Sequence, residues 1–320
     1  MPTKPIGEDA NTCAIAKPDR TPPEPPAAAP FALIQPLFEH RLTLAGCDTR
    51  VLELEGDGIP IVLFHGYADS ADTWRHALAL LARRGRRAIA VDLPGFGTAD
   101  QLRPDPILPQ LDEFAIAAVR YLSGRERARV LAVGNSLGGC VTLRLAERHG
   151  DRLAGIVGVA PAGLEMSRLL HLVQRDPVLR SLVALPSPVP AFVLRAAVAR
   201  LYRQLAFAVP GSIDPGVISA FTYHHRRRSR VAHYLDTAHR LIPELRRPFE
   251  LERISVPVLL VWGDRDRLVF SRGAQRVLDA VPGARLELLE GIGHCPQVEA
   301  AERFTRLLLE FSEEPQAGLA

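Results

Sequence analysis

Short apolar runs, each bounded by glycine or proline, recur along the chain at Ile59 to Phe64, Ala88 to Val91, Val130 to Val133, Ile156 to Val159 and Val258 to Trp262. Leu286 to Leu289 makes a weaker sixth. Runs this short, apolar throughout rather than alternating, fit strands buried on both faces of a parallel sheet. Between them lie stretches with helical periodicity. Thr73 to Arg84 places Ala77, Leu78, Leu80 and Leu81 on one face, and Gly138 to Arg148 and Ala301 to Phe311 also predict helices. Ahead of this alternation, Phe38 to Leu44 and Arg50 to Leu54 flank Ala45-Gly46, the pattern of an antiparallel hairpin. Strand and helix in alternation predict a doubly wound, mostly parallel α/β sheet with right-handed crossovers.

One crossover breaks the rhythm. About ninety residues separate Pro161 from Arg253, where a βαβ connection needs a dozen or so. The stretch is rich in Leu, Val and Ala, with helix-like segments at Phe192 to Phe207 and Val217 to His225. A structureless loop of that length does not fit a compact domain, so it predicts a helical cap above the C-terminal edge of the sheet. At the other end, Met1 to Pro30 holds eight prolines among alanines and polar residues and reads as a disordered or polyproline-like arm. The expected organisation is an arm at 1–30, an α/β core at 31–161 and 253–320, and a helical cap at 162–252.

Composition narrows the class. The 320 residues are 47% apolar with a net charge of +3, enough for a sizeable core and too little charge for a nucleic-acid footprint. Lys4 and Lys17 are the two lysines, and the many arginines are interspersed with acids. Cys13, Cys47, Cys140 and Cys295 are scattered without a CxxC pair or metal-like spacing, which fits reduced thiols in a cytoplasmic protein. No apolar run is long enough to span a membrane, and the N-terminus carries no apolar signal core.

The chemistry centres on Gly134-Asn135-Ser136-Leu137-Gly138, a G-x-S-x-G pattern between a buried strand and a helix. In that context the serine sits on a sharp turn with its hydroxyl above the sheet, and small flanking residues let strand and helix backbones approach. A serine hydroxyl needs a general base. Downstream, Val258 to Asp266 gives a strand ending in a turn with Asp264 and Asp266, and Leu286 to Leu289 leads into Gly293-His294. Both lie past the C-terminal ends of strands, where open α/β sheets place their sites. His294 is the expected base. Asp266, further into its loop than Asp264, is the favoured acid, with Asp264 as a turn residue. Two oxyanion donors are expected: the Leu137 N–H, directly after the serine, and the Tyr67 N–H, on the glycine bend after Ile61 to Phe64. His65 is read as a structural hydrogen-bonding residue.

His65-Gly66, Asp92-Leu93-Pro94-Gly95-Phe96-Gly97, Gly134 to Gly139, Trp262-Gly263-Asp264-Arg265-Asp266 and Gly293-His294 together closely resemble the capped α/β-hydrolase superfamily. The resemblance spans roughly Pro36 to Ser312 and is weakest in the cap. It implies the α/β-hydrolase fold, a serine esterase mechanism on a small molecule, no cofactor or metal, and a structural role for Asp92 to Gly97. Ser136 disfavours the dehalogenases and epoxide hydrolases, which use aspartate there. Gly-Asn-Ser-x-Gly-Gly also resembles the carbon–carbon bond hydrolases of ring-cleavage products, which typically carry tryptophan where this chain has Cys295.

Three functions compete on these residues: hydrolysis of a carboxylic ester of a small or medium apolar substrate, carbon–carbon bond hydrolysis, and a hydrolase-fold receptor with incidental turnover. His224-His225-Arg226-Arg227-Arg228 and Arg230 in the expected cap read as a solvated helix face in preference to an anion clamp. Phe207, Phe221 and Tyr223 fit either an acyl pocket or packing within the cap.

Overall fold

In a computed structural model the residues described are 36–124, 127–167, 191–211, 213, 216, 218 and 228–314. The arm at 1–30 and the expected helix Val217 to His225 lie outside them, apart from Ile218 in the latter. The sheet has eight strands, β1 Leu37–Leu44, β2 Cys47–Leu54, β3 Asp57–Phe64, β4 Arg86–Val91, β5 Val130–Asn135, β6 Leu153–Val159, β7 Val258–Gly263 and β8 Arg285–Leu289, in the spatial order 1-2-4-3-5-6-7-8. β2 runs antiparallel to both β1 and β4, and every other pairing is parallel. This is an α/β-hydrolase fold, with each of the expected strands present.

The helices follow in chain order: α1 Arg75–Ala82, α2 Ile107–Ser123, α3 Leu137–His149, α4 Ala191–Ala206, α5 Arg228–Glu244, α6 Gln275–Ala280, α7 Pro296–Glu299 and α8 Ala301–Glu313. They cover both faces of the sheet. Val62, Phe64, Ile89, Ala132, Ile156 and Leu260 point to α2 and α3, while the alternate residues Ile61, Leu63, Ala90, Leu131, Val157 and Val261 pack with Trp74, Leu78, Phe304 and Leu308 of the opposite layer. The period-2 switch of a strand thus feeds two separate cores, which is why the central strands are apolar at every position.

The structure departs from the pattern reading in several places, the short helices α6 and α7 among them. The first turn of the Thr73 to Arg84 helix is a 3-10 turn over Ala71–Trp74 that passes into α1. No helix was expected between β4 and β5, yet α2 runs for 17 residues. Its apolar positions do recur at helical spacing, but Pro109 stands among them. Pro109 falls in the first turn, where the backbone N–H has no intrahelical partner to lose. α5 was likewise unassigned: its residues are more polar than those of α2.

α4 and α5 belong to the segment inserted between β6 and β7. A carboxylate docks the insertion onto the core: Glu244 of α5 accepts from the Ile107 and Leu108 N–H groups, both at 2.8 Å. These are leading N–H groups of α2, so one anion satisfies two orphan donors and faces the positive end of the helix dipole.

The Asp92 to Gly97 turn is held by charge. Arg50 reaches Asp92 at 3.1 Å and Asp72 at 2.8 Å, and Asp92 also accepts the Ala71 and Thr98 N–H groups. Although burial opposes ionisation, Arg50 holds Asp92 below the usual carboxylate range and Asp72 down to about 2. Carboxylates depressed in the folded chain contribute stability above their unfolded pKa, and it is lost as pH falls through the folded value. Arg50→Met is therefore expected to cost about 3 kcal/mol at neutral pH. The deficit should shrink as pH drops below about 4 towards the Asp72 value of about 2, as measured by urea unfolding of both proteins across that range.

Candidate active site

β5 ends at Asn135 and α3 begins at Leu137, so Ser136 alone makes the turn. Its backbone is left-handed, with φ 53° and ψ −110°, a conformation that costs a non-glycine residue of order 1–3 kcal/mol. Neighbouring bonds hold it there: Ser136 N–H donates to Val159 O at 2.8 Å, and Ser136 O accepts from Cys140 and Ala162 N–H, both at 2.9 Å. The flanking glycines are required by distance. A Cβ on Gly134 would lie 2.1 Å from Gly138 O, and one on Gly138 would lie 2.1 Å from Phe64 O.

The loop after β3 comes up beside this turn. Gly138 N–H donates to His65 O at 3.1 Å, and a Cβ built on Gly66 would stand 3.4 Å from Ser136 Cβ. Tyr67 follows directly, with its hydroxyl donating to the backbone O of Tyr234 in α5. Leu137, as the first residue of α3, carries one of the N–H groups that a helix leaves without an intrahelical acceptor. His65 is fully buried and spends both ring nitrogens on backbone: Nε2 accepts Leu93 N–H at 2.8 Å, which leaves Nδ1 to donate to Gly66 O at 2.7 Å.

His294 and Asp266 meet from the ends of β8 and β7. His294 Nδ1 is 2.7 Å from Asp266 Oδ2, with both side chains nearly inaccessible. The second carboxylate oxygen, Oδ1, accepts Leu268 N–H at 2.8 Å and Val269 N–H at 3.0 Å. Asp266 is thereby fixed in orientation. Asp264 is exposed and accepts Gly291 N–H at 2.7 Å, which is a turn contact and no part of the pair.

Ser136, Leu137, Tyr67 and His294 line a single cavity of about 340 Å³, while Asp266 stands behind His294 and outside the wall. Its far side is apolar and comes from the insertion, with Leu205 of α4 and Leu235, Leu241 and Ile242 of α5. Phe207 is not on this wall; it packs against Ala206, Ile213, Ile218 and Cys295. Phe221, Tyr223, His224, His225, Arg226 and Arg227, with the side chain of Arg228, lie outside the described residues. Arg230 is half-buried, and its Nη1 is a buried donor without a hydrogen-bond partner among the described residues.

Two groups that the residue pattern does not reveal hold the histidine loop. Asn135 Nδ2 donates to His294 O at 3.0 Å, and Glu299 accepts Gly293 N–H and Ala208 N–H, both at 2.8 Å. Desolvation raises the Glu299 carboxyl above its ordinary range against these donors. His294 N–H in turn donates to Ala206 O at the end of α4, at 2.7 Å. Asn135 was visible inside the serine motif as an unassigned position. Glu299 carried no signal.

The profile of the alpha/beta hydrolase family matches residues 61–307. The chain belongs to that family. Among similar family proteins is the 2-hydroxymuconate semialdehyde hydrolase of a Pseudomonas strain, 27% identical, with 88% of this chain and 96% of that protein aligned. A 2-hydroxy-6-oxononadienedioate/2-hydroxy-6-oxononatrienedioate hydrolase from Burkholderia vietnamiensis is 28% identical over 78% of this chain and 86% of its own length. In fold, the chain is similar to the enol-lactonase of Burkholderia xenovorans, with a TM-score of 0.69, 21% identity, and coverage of 86% of this chain and 100% of that one. The family makes this a hydrolase without fixing the bond it cleaves.

Removing the Asn135 amide tests how tightly the histidine loop is held. A single hydrogen bond contributes about 1 kcal/mol, so Asn135→Ala should speed amide exchange in the loop around His294 by up to tenfold, on the order of 1.4 kcal/mol. Hydrogen-exchange mass spectrometry should find the peptides of β5 and α3 unchanged.

Proposed function

We propose that the chain is a serine hydrolase that cleaves a carboxylic ester of a small or medium apolar substrate through an acyl-enzyme. The observation that carries this reading is a serine in a strained turn sharing one apolar cavity with a histidine whose Nδ1 is paired to a buried carboxylate. Ser136 Oγ attacks the ester carbonyl while its proton passes to His294. Asp266 holds the imidazole tautomer and stabilises the positive charge that forms on it. The tetrahedral oxygen is met by the N–H groups of Leu137 and Tyr67, donors fixed before the reaction begins. Collapse expels the alcohol, protonated by His294, and water then repeats the sequence on the acyl group. The insertion acts as a cap whose apolar side chains fit the acyl chain.

A second reading, carbon–carbon bond hydrolysis, is favoured by the two relatives named for dienoic and semialdehyde substrates and by the unpartnered Arg230 Nη1, one helical turn from the wall residue Tyr234. Against it, Cys295 occupies the wall position after the histidine where those hydrolases typically carry tryptophan.

Kinetics on 4-nitrophenyl esters of graded acyl length, with Ser136→Ala as the blank, decide between them. The ester reading expects kcat/KM on the best ester to exceed that on dienoic ring-cleavage products, and Asp266→Asn to lower kcat about 10⁴-fold, as the equivalent change does in serine proteases. The reverse substrate ranking overturns ester hydrolysis in favour of the second reading.

A further inference from the structure

Asp69 is a carboxyl that the proposed reaction leaves unused, and it lines the same cavity as Ser136 and His294. It is 6% exposed, and its Oδ1 accepts Ser70 N–H at 2.8 Å. Among the described wall residues it is the one acid, and none is Arg or Lys. The remainder of that wall is chiefly leucine, isoleucine, valine, alanine and tyrosine. Arg230, close along α5, is not part of it.

We propose that Asp69 determines specificity in this cavity, admitting neutral acyl groups and turning away acyl groups that bear a carboxylate of their own. The inference rests on the ester-hydrolase reading of the same site and adds the charge class of its substrate. A second carboxylate brought into a cavity without a guanidinium or ammonium partner is desolvated and repelled at once.

The filter depends on pH, because Asp69 titrates near neutrality. Burial is the largest cause and raises its carboxyl to about 7, against the lowering effect of the Ser70 N–H and the Thr73 hydroxyl. The titratable groups around it are Asp72 on its own loop, Asp92 past β4, Tyr202 of α4, Tyr234 of α5 and Cys295 beside His294. Arg50 partners both Asp72 and Asp92, so their charges bear on Asp69 only in part. Below neutral pH Asp69 is protonated and an anionic acyl group is tolerated. Above it Asp69 is charged and the anion is excluded.

The test compares mono-4-nitrophenyl glutarate, whose acyl group is anionic, with methyl 4-nitrophenyl glutarate, its neutral counterpart. Effects common to the turnover of both substrates cancel in the ratio of their kcat/KM values. In the wild type the preference for the neutral ester is expected to rise about tenfold between about pH 5.5 and about pH 8.5. In Asp69→Asn it should be flat and low. The variant's Tm should also gain on the wild type as pH rises from about 4 to about 7, the window in which the unfolded wild type loses the Asp69 proton and the folded one keeps it. A preference in the wild type that ignores pH, or one that Asp69→Asn leaves unchanged, overturns the proposal. Binding separates it from the ester reading. If neither ester is turned over, a glutaramate-to-glutaramide Kd ratio that follows pH in the wild type and not in Asp69→Asn still upholds the filter, and a pH-independent ratio rejects it.

Discussion

Everything at this site hangs on how closely three backbones approach at the end of β5. Gly134 and Gly138 bring the first turn of α3 against both β5 and the end of β3, at separations that leave no room for a side chain. That contact forces Ser136 into its left-handed turn and lifts its hydroxyl into the cavity. It also brings the Gly66-Tyr67 backbone beside the serine. The strain at Ser136, of order 1–3 kcal/mol, is held by the bonds to Val159, Cys140 and Ala162 and by the packing of two cores on either side of the sheet.

The histidine is placed by different means. Its loop is bonded to the serine strand through Asn135, and to the insertion through Ala206 and through the clamp of Glu299 on Gly293 and Ala208. The segment that shapes the far wall of the cavity therefore also holds the proposed base. A change at the end of α4 acts on the His294 backbone as well as on the apolar wall of the cavity.

Much of the fold was legible because buried parallel strands leave a strong local pattern, and all six apolar runs became strands. The hairpin was legible from Ala45-Gly46. His294 and Asp266 were matched on chain order and loop position; in the structure their side chains are 2.7 Å apart and buried, while Asp264 is exposed. What escaped were α2, whose helical spacing was obscured by Pro109, the more polar α5, the short α6 and α7, and contacts formed across long separations in sequence. Asn135 meets His294 from 159 positions away, and nothing in the neighbourhood of either residue encodes that meeting. Asp69 was equally silent, since an aspartate in a loop reads as a turn residue until its burial is known.

The central claim is that Ser136 is the nucleophile, and covalent trapping tests it most directly. A fluorophosphonate probe incubated with the folded protein, followed by peptide mapping in the mass spectrometer, should yield one adduct, on Ser136, at one probe per chain. An adduct on another residue, or folded protein that takes up no probe, would contradict the account.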